Sequence, residues 1–568
     1  MQRSILVRFS GQQGQGVQSV AAIIGGFYAE QGYQVLAVND YASRIRGGYS
    51  FSQILVSTGP ARSVDHSAQI AFAIEPKLVE QDQTTLDASC PLFAEGGKIS
   101  SDAPNVIPIN LAELLEPVER RGVNIFYVGL FIGLTGKSLA ALKPLLEKRF
   151  GKKGKTVVSD NMKIAGKGFA FAQTMPKHRI FLAPPVGKKP AVVRTGSEAI
   201  ALGAVAAGVK FHAGYPMAPS TAVMNTLVRY SQSHGIVVEQ AEDEIAAINL
   251  AVGASYAGVR AMTATSGGGL ALMGETVSLA AISENPLVIV NVQRPGPATG
   301  LPTKTAQADL HMVLNLGHGE FARYIASPGN LEEAFKASQK AFYLAEKYQL
   351  PAFVLSDQHL GDSLLSSEEW QVIPEWQKRF IKTESVFPEP TPARRYLLGD
   401  SPISPRIIPG MTNDLTLSDS HLHDEFGHIT EDPEISQRMQ EKLVRKDALL
   451  IPELDPLDII YSDAETLLIG FGSTWGAIRD ACERLQAEGL SVGHVHFHEV
   501  CPLAEDMVWS ALGKASKTIL VENNLTAQFA RLLRMECGFV IDDSVLKYDG
   551  RPFYTDELVS ELKGRLQS

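Results

Sequence analysis

The sequence predicts a multidomain α/β protein: three α/β segments, separated by a short linker and a longer irregular connector. Three observations carry this. The chain has 568 residues, room for roughly three or four domains of ordinary size. Short apolar runs alternate with helical patterns in three stretches, the order that builds a mostly parallel sheet covered by helices. One run, Pro286-Leu-Val-Ile-Val-Asn-Val292, is nearly all apolar, as expected of a strand buried on both faces.

Residues 1–175 open with a strand-like run from Ser4, a glycine turn Gly11-Gln-Gln-Gly-Gln-Gly16, a helical pattern from Val17 to Gln31 and a second strand from Gln34. Strand–turn–helix–strand is the start of an α/β unit. Further strands are expected at 52–57, 70–74 and 124–128. Residues 176–195 read as a linker, rich in Pro and Lys and without sustained period. Residues 196–380 alternate more regularly, and doubly wound topology follows. Residues 381–455 look irregular, with no visible core. Residues 456–568 return to α/β order, from Thr466-Leu-Leu-Ile-Gly-Phe to Lys517-Thr-Ile-Leu-Val-Glu522.

Composition excludes several classes. A net charge of -10 argues against a general nucleic-acid binder, which needs a basic surface for phosphates. Cys90, Cys482, Cys501 and Cys537 are scattered without C-x-x-C spacing, so the chain offers no iron–sulfur or zinc cage of its own. No apolar run reaches the ~18 residues of a membrane span, and charge interrupts the first residues too early for a signal peptide. A cytoplasmic protein with no membrane association is expected.

Four groups of residues invite a chemical reading. Gly11, Gly14 and Gly16 follow a strand and open a helix, where backbone N–H groups approach a phosphate. Their order is not that of the dinucleotide fingerprint, so a phosphate-bearing ligand and a plain packing turn stand level. The acids Glu242-Asp-Glu244 fall where a strand turns into a helix. Acids there usually cap the helix; the alternative is one carboxyl buried as a proton-handling group. Arg294 opens a loop at the end of the apolar strand, where open α/β sheets bind ligands, and its forked guanidinium suits a carboxylate. The turn Ser266–Gly269 is expected at the same end. His421, His423 and His428 fit no standard metal spacing and read as solvated loop histidines.

Together these motifs resemble the 2-oxoacid:ferredoxin oxidoreductases. The middle segment resembles the family's α subunit through Gly214-Tyr-Pro-Met-Ala-Pro-Ser-Thr221, Glu242-Asp-Glu-Ile-Ala-Ala-Ile248, Thr263-Ala-Thr-Ser-Gly-Gly-Gly-Leu270 and Val292-Gln-Arg-Pro-Gly-Pro-Ala-Thr-Gly-Leu-Pro-Thr303. The first segment is similar to the γ subunit, through Gly14-Gln-Gly-Val17 and Arg46-Gly-Gly48. The last is similar to a transketolase C-terminal-like domain. The resemblance implies a γ-like domain associated with CoA, a domain like those binding the thiamine-diphosphate pyrimidine, and a fused γ–α order. It implies oxidative decarboxylation of a 2-oxoacid, acyl transfer to CoA and electron transfer to ferredoxin.

Carried over by motif, Glu244 faces the thiamine pyrimidine and Arg294 contacts the 2-oxoacid. Tyr215, Pro216 and Ser220 form the substrate loop. Gly11, Gly14, Gly16, Arg46 and Gly47 serve CoA. Two positions depart from the family pattern: Ala218 stands where a Thr usually contacts substrate, and Gly268 replaces a Pro. No Gly-Asp-Gly motif of a magnesium–diphosphate site is present. Mg2+, the diphosphate half and a [4Fe-4S] cluster are therefore expected on a β subunit, in an (αβ)2 assembly that docks ferredoxin. The run Thr299-Gly-Leu-Pro-Thr-Lys-Thr305 looks most like enzymes that convert 2-oxoglutarate to succinyl-CoA, in either direction, including a reductive tricarboxylic acid cycle. Pyruvate or a branched-chain 2-oxoacid is the alternative substrate. A nicotinamide-dependent oxidoreductase and a non-catalytic assembly subunit are the alternatives in class.

Overall fold

The computed structural model describes residues 1–43, 47–96, 103–382, 394–410, 413 and 416–566. The strands run in chain order as β1 (Ser4–Gln13), β2 (Gln34–Asp40), β3 (Gly47–Ser57), β4 (Ile70–Ala73), β5 (Leu92–Glu95), β6 (Val106–Ile109) and β7 (Val192–Thr195). There follow β8 (Phe211–Gly214), β9 (Val237–Gln240), β10 (Ala261–Thr265), β11 (Leu287–Gln293), β12 (Tyr324–Ala326), β13 (Pro351–Asp357) and β14 (Leu364–Ser367). The last are β15 (Asp458–Ile460), β16 (Thr466–Phe471), β17 (Val492–Phe497), β18 (Glu499–Cys501), β19 (Lys517–Glu522) and β20 (Asp543–Leu546). They form three sheets in two compact units. One unit comprises residues 1–195, 362–369 and 554–568; the other comprises 196–361 and 370–553.

The first unit holds an eight-stranded mixed sheet, β6-β5-β4-β1-β3-β2-β14-β7. β1 pairs parallel with β4 and antiparallel with β3. Residues 124–128 are not a strand: they lie in the helix Val123–Leu134. The run is buried on every side, and periodicity cannot separate such a helix from a buried strand. Glycines decide its packing. A Cβ on Gly129 would lie 2.0 Å from the Ala165 carbonyl oxygen, and one on Gly168 would lie 2.0 Å from that of Phe126. The helix therefore crosses Lys155–Gln173 at backbone contact.

The unit also gathers distant chain. Val192–Thr195, expected within the linker, forms strand β7. The C-terminal helix Thr555–Leu566 packs here too: the Thr555 amide donates to the Val64 carbonyl at 3.0 Å, and the His66 amide to Asp556 Oδ1 at 2.9 Å.

The second unit contains the seven-stranded sheet β18-β12-β13-β11-β10-β8-β9 and the five-stranded sheet β15-β17-β16-β19-β20. The strands from β12 to β9 are parallel, as the alternation of strands and helices requires. One apolar core runs from Ile289 and Phe353 in the first sheet to Ile469 and Phe497 in the second.

The connector differs from the sequence expectation. It contains the helix Pro433–Leu450, capped by Asp432, whose carboxylate accepts the amides of Glu434 and Ile435. Met439, Leu443 and Leu450 are buried, as are Tyr396, Ile407 and Ile408 from the preceding chain. The helix also buries Lys442 and Lys446 against Glu284, and such charged positions hide an apolar stripe from a hydropathy reading. Among the described residues, no helix is long and apolar enough to cross a membrane.

Candidate active site

The acidic triplet divides its labour. Asp243 caps the helix Glu244–Tyr256, its Oδ1 accepting the Ala246 amide at 2.7 Å. The capping reading is therefore true of Asp243. Glu244 is turned inward: it is 4% exposed, and its buried Oε1 has no hydrogen-bond partner among the described residues. A buried oxygen without a donor costs about 1–3 kcal/mol, so its placement asks for a partner beyond the described residues. The glycine turn makes the place for it. A Cβ on Gly269 would lie 2.3 Å from Thr265 Oγ1 and 2.6 Å from Glu244 Cγ, so only glycine lets the turn close onto the carboxylate.

Arg294 follows β11 at the carboxyl edge of the sheet. Its Nη1 donates to the Ala218 carbonyl oxygen at 2.6 Å, and its Nε is buried with no partner among the described residues. Ala218 has no hydroxyl to offer a substrate, but its carbonyl steers the arginine. Burial lowers the Arg294 pKa from its usual value, while the charges of Asp309 and Glu244 oppose that shift. Ser220, 1% exposed, donates its hydroxyl to the Met217 carbonyl at 2.7 Å and braces the loop from inside. Tyr215 and Pro216 are exposed.

More unpartnered polar atoms line the same edge. Thr265 is in register with Asn291, which puts both on one face of the sheet. Asn291 Oδ1, Thr263 Oγ1 and Ser266 Oγ are all buried with no partner among the described residues. His212 is different: it is in register with Met262, on the opposite face, and burial pushes its pKa down to about 4. It is a neutral core histidine.

In the first unit, Gly14 and Gly16 have φ of +94° and +82°. Gly16 is the N-cap of the helix Val17–Glu30. A Cβ on Gly14 would touch nothing, whereas one on Gly11 would lie 2.9 Å from Gln15 Oε1. The turn borders a cavity of about 280 Å³ at the carboxyl ends of β1 and β2, lined by Gln13, Gly14, Gly16, Ser19, Tyr41 and Phe51. Gly47 begins β3 with φ of +78°. Arg46 lies outside the described residues.

Of the connector histidines, His421 and His428 are solvated loop residues as expected, and His423 is not. His423 is fully buried with its ring centroid 4.0 Å from that of Tyr396, while His421 and His428 lie at the surface beside Asp419 and Asp424. Among the described residues, one group has the spacing of a metal site: Asp455, His498 and Glu499. Lys340 already sits there, its Nζ 2.9 Å from Asp455 Oδ2 and 2.7 Å from Glu499 Oε1. Burial pushes the thiols of Cys90, Cys482 and Cys501 up to about 12 and that of Cys537 to about 11, which makes them poor nucleophiles.

Sequence reasoning passed over Asn291 and Asp309, and took Thr263 only as a member of a motif. For Asn291 a signal existed: it is a polar residue inside an otherwise apolar buried strand. Asp309 had none, because only the fold brings it to the turn.

Residues 202–441 match the family described as "Pyruvate flavodoxin/ferredoxin oxidoreductase, thiamine diP-bdg". Residues 6–171 match "Pyruvate ferredoxin/flavodoxin oxidoreductase". The carboxylate edge described above thus lies in a thiamine-diphosphate-binding domain. The 2-oxoacid:ferredoxin oxidoreductase 1 subunit alpha of Aeropyrum pernix is 30% identical, over 98% of this chain and 97% of that protein. The chain therefore belongs to the 2-oxoacid:ferredoxin oxidoreductases, among their α subunits in fused γ–α order. The 2-oxoglutarate oxidoreductase subunit KorA of Mycobacterium tuberculosis is 27% identical over 99% of this chain and 92% of that protein. A solved 2-oxoglutarate:ferredoxin oxidoreductase from Magnetococcus marinus, with 2-oxoglutarate, coenzyme A and succinyl-CoA bound, superposes with a TM-score of 0.91 at 29% identity, covering both chains entirely.

Proposed function

We propose that this chain is the γ–α subunit of an enzyme that oxidatively decarboxylates 2-oxoglutarate with CoA to succinyl-CoA and CO2, reducing ferredoxin, and that it works only with a β subunit. The observation that carries the reading is Glu244, buried against Gly269 with Oε1 unpartnered. Thiamine diphosphate, when bound, supplies the carbon nucleophile and the electron sink for decarboxylation. Glu244 is placed to hydrogen-bond its aminopyrimidine and to hold or release a proton at Oε1. Arg294 neutralises the 2-oxoacid carboxylate, and its bond to Ala218 keeps the guanidinium aimed from the loop that Ser220 braces. Filling this edge gives its unpartnered groups hydrogen bonds and excludes water.

The glycine turn of the first unit, with Gly47, is assigned to CoA, because Gly14 and Gly16 border a cavity at the start of a helix, the place where a phosphate-bearing ligand is favoured. The reading assigns Mg2+, the diphosphate and a [4Fe-4S] cluster to the β subunit, ferredoxin to its surface and a cytoplasmic (αβ)2 assembly to the enzyme. The choice of 2-oxoglutarate rests on the likeness to the Magnetococcus marinus enzyme along the whole chain. The family descriptions, which name pyruvate, favour the second substrate. The test is CoA-dependent reduction of a viologen dye by the two-subunit complex with each acid. Turnover with 2-oxoglutarate is expected, and turnover with pyruvate alone would reject the assignment.

A further inference from the structure

The glycine turn of the first unit lacks a full counter-charge for CoA. Among the described residues that line its cavity there is no cation, and the one charged residue is Asp40. The start of the helix Val17–Glu30 offers about half a positive charge. CoA carries a diphosphate and, on its ribose, a phosphate monoester of about −1.5 to −2 charge. Backbone N–H groups at a helix start can hold a diphosphate, but the monoester needs cations from the rim.

One cation reaches that rim. Arg149 Nη2 donates to Ser19 Oγ at 2.8 Å, and Ser19 lines the cavity in the first turn of the helix. Arg149 belongs to a basic run: residues 143–155 hold six basic residues and one acid. The acid, Glu147, lies 4.0 Å from Lys143. Lys148, Arg149, Lys152, Lys153 and Lys155 are exposed.

Stability accounts for only part of this run. Lys148 and Arg149 complement the carboxyl end of the helix Lys143–Phe150. Lys152 and Lys153 follow in the turn Gly151–Lys153, and Lys155 begins the helix Lys155–Gln173, where a cation opposes the helix dipole. Among the described residues, Lys152, Lys153 and Lys155 form no ion pair. Crowded like charges repel, so an anion bound there relieves a standing cost. A phosphate monoester fits, because a guanidinium fork takes two of its oxygens and lysines add point charge.

We propose that Arg149, with Lys152 and Lys153 in the turn that follows it, binds the 3′-phosphate of CoA, while the glycine turn holds the diphosphate. The site then selects CoA over its 3′-dephospho form. The inference rests on the CoA reading above and adds to it the residues that read the third phosphate.

The test is calorimetric binding of CoA and of 3′-dephospho-CoA to the two-subunit complex in the absence of 2-oxoacid. The wild type is expected to bind CoA roughly 10-fold or more tighter than the dephospho form, the size of a charge-assisted contact, and added salt should shrink that preference. Arg149→Gln should erase most of the preference by weakening CoA alone. Gly14→Ala should weaken both ligands alike, because both carry the diphosphate. If Arg149→Gln fails to assemble, the exposed pair Lys152→Gln and Lys153→Gln carries the test and should at least halve the preference. Equal affinity for the two ligands in the wild type, or a preference that these lysine and arginine variants leave unchanged, overturns the inference alone. No binding of CoA by the wild type overturns the CoA assignment of the turn and this inference with it.

Discussion

A single methyl group at Gly269 tests whether the position of Glu244 matters. In Gly269→Ala the new Cβ meets Thr265 Oγ1 at 2.3 Å and Glu244 Cγ at 2.6 Å, overlaps of about an ångström against ordinary van der Waals contact. The backbone of Gly269 does not require glycine conformationally, because its φ is not positive. The whole cost is therefore steric. Thr265 ends a buried strand and is stiff at χ1, so the softer Glu244 is the group that moves. Overpacking of this kind costs about 1–3 kcal/mol of stability. A misplacement of about an ångström at a reacting centre costs on the order of 100-fold in rate. The assay is kcat/KM and thiamine-diphosphate affinity of the reconstituted complex, with Gly253→Ala as control. Gly253 is exposed on the same helix as Glu244, and a Cβ there meets nothing. It should gain a few tenths of a kcal/mol or more in helix propensity and keep its activity. A folded Gly269→Ala complex with wild-type thiamine affinity and turnover would refute the placement of Glu244.

Two further substitutions probe other parts of the chain. Glu284 is fully buried with Lys446 Nζ 2.7 Å away and Lys442 also bonded to it; burial alone would raise its pKa, but the two lysines outweigh that and hold it at about 2. Glu284→Gln leaves two buried cations unpaired and should cost about 3–5 kcal/mol, read as a lowered denaturation midpoint. Because the folded pKa lies below the ordinary 4.5, this group's contribution is present above about pH 4.5 and lost as pH falls toward 2; the variant should lack that acid-side component. Gly14→Ala puts a side chain at φ of +94° and should cost about 1–2 kcal/mol while raising KM for CoA and leaving KM for the 2-oxoacid unchanged. An unchanged CoA KM would detach the turn from CoA.

Much of this was legible in the sequence, for definable reasons. The parallel sheet was visible because β8, β9, β10 and β11 fall on short strand-like runs next to helical patterns, as at Leu287–Gln293, whereas β12 and β13 were not read as strands. Glu244 and Arg294 were legible as members of motifs, and the structure brings both to one sheet edge. The helix Val123–Leu134 was misread because burial on all sides erases the period that separates helix from strand. The helix Pro433–Leu450 was missed because Lys442 and Lys446 sit at buried positions, where a sequence reading expects apolar residues. Which acid of Glu242-Asp-Glu244 caps the helix and which turns inward was decided by the glycine turn that packs on it. Asp309 was invisible because the fold alone brings it beside Gly267 and Asn291.

The most direct measurement is made on Glu244 itself. Asp243 still caps the helix in Glu244→Gln, so the substituted complex should fold and assemble as the wild type does. The account predicts a fall in kcat of at least about 100-fold, in the range that proton-transfer groups contribute, together with weakened thiamine-diphosphate binding. A Glu244→Gln complex with full turnover and unaltered thiamine affinity would contradict it.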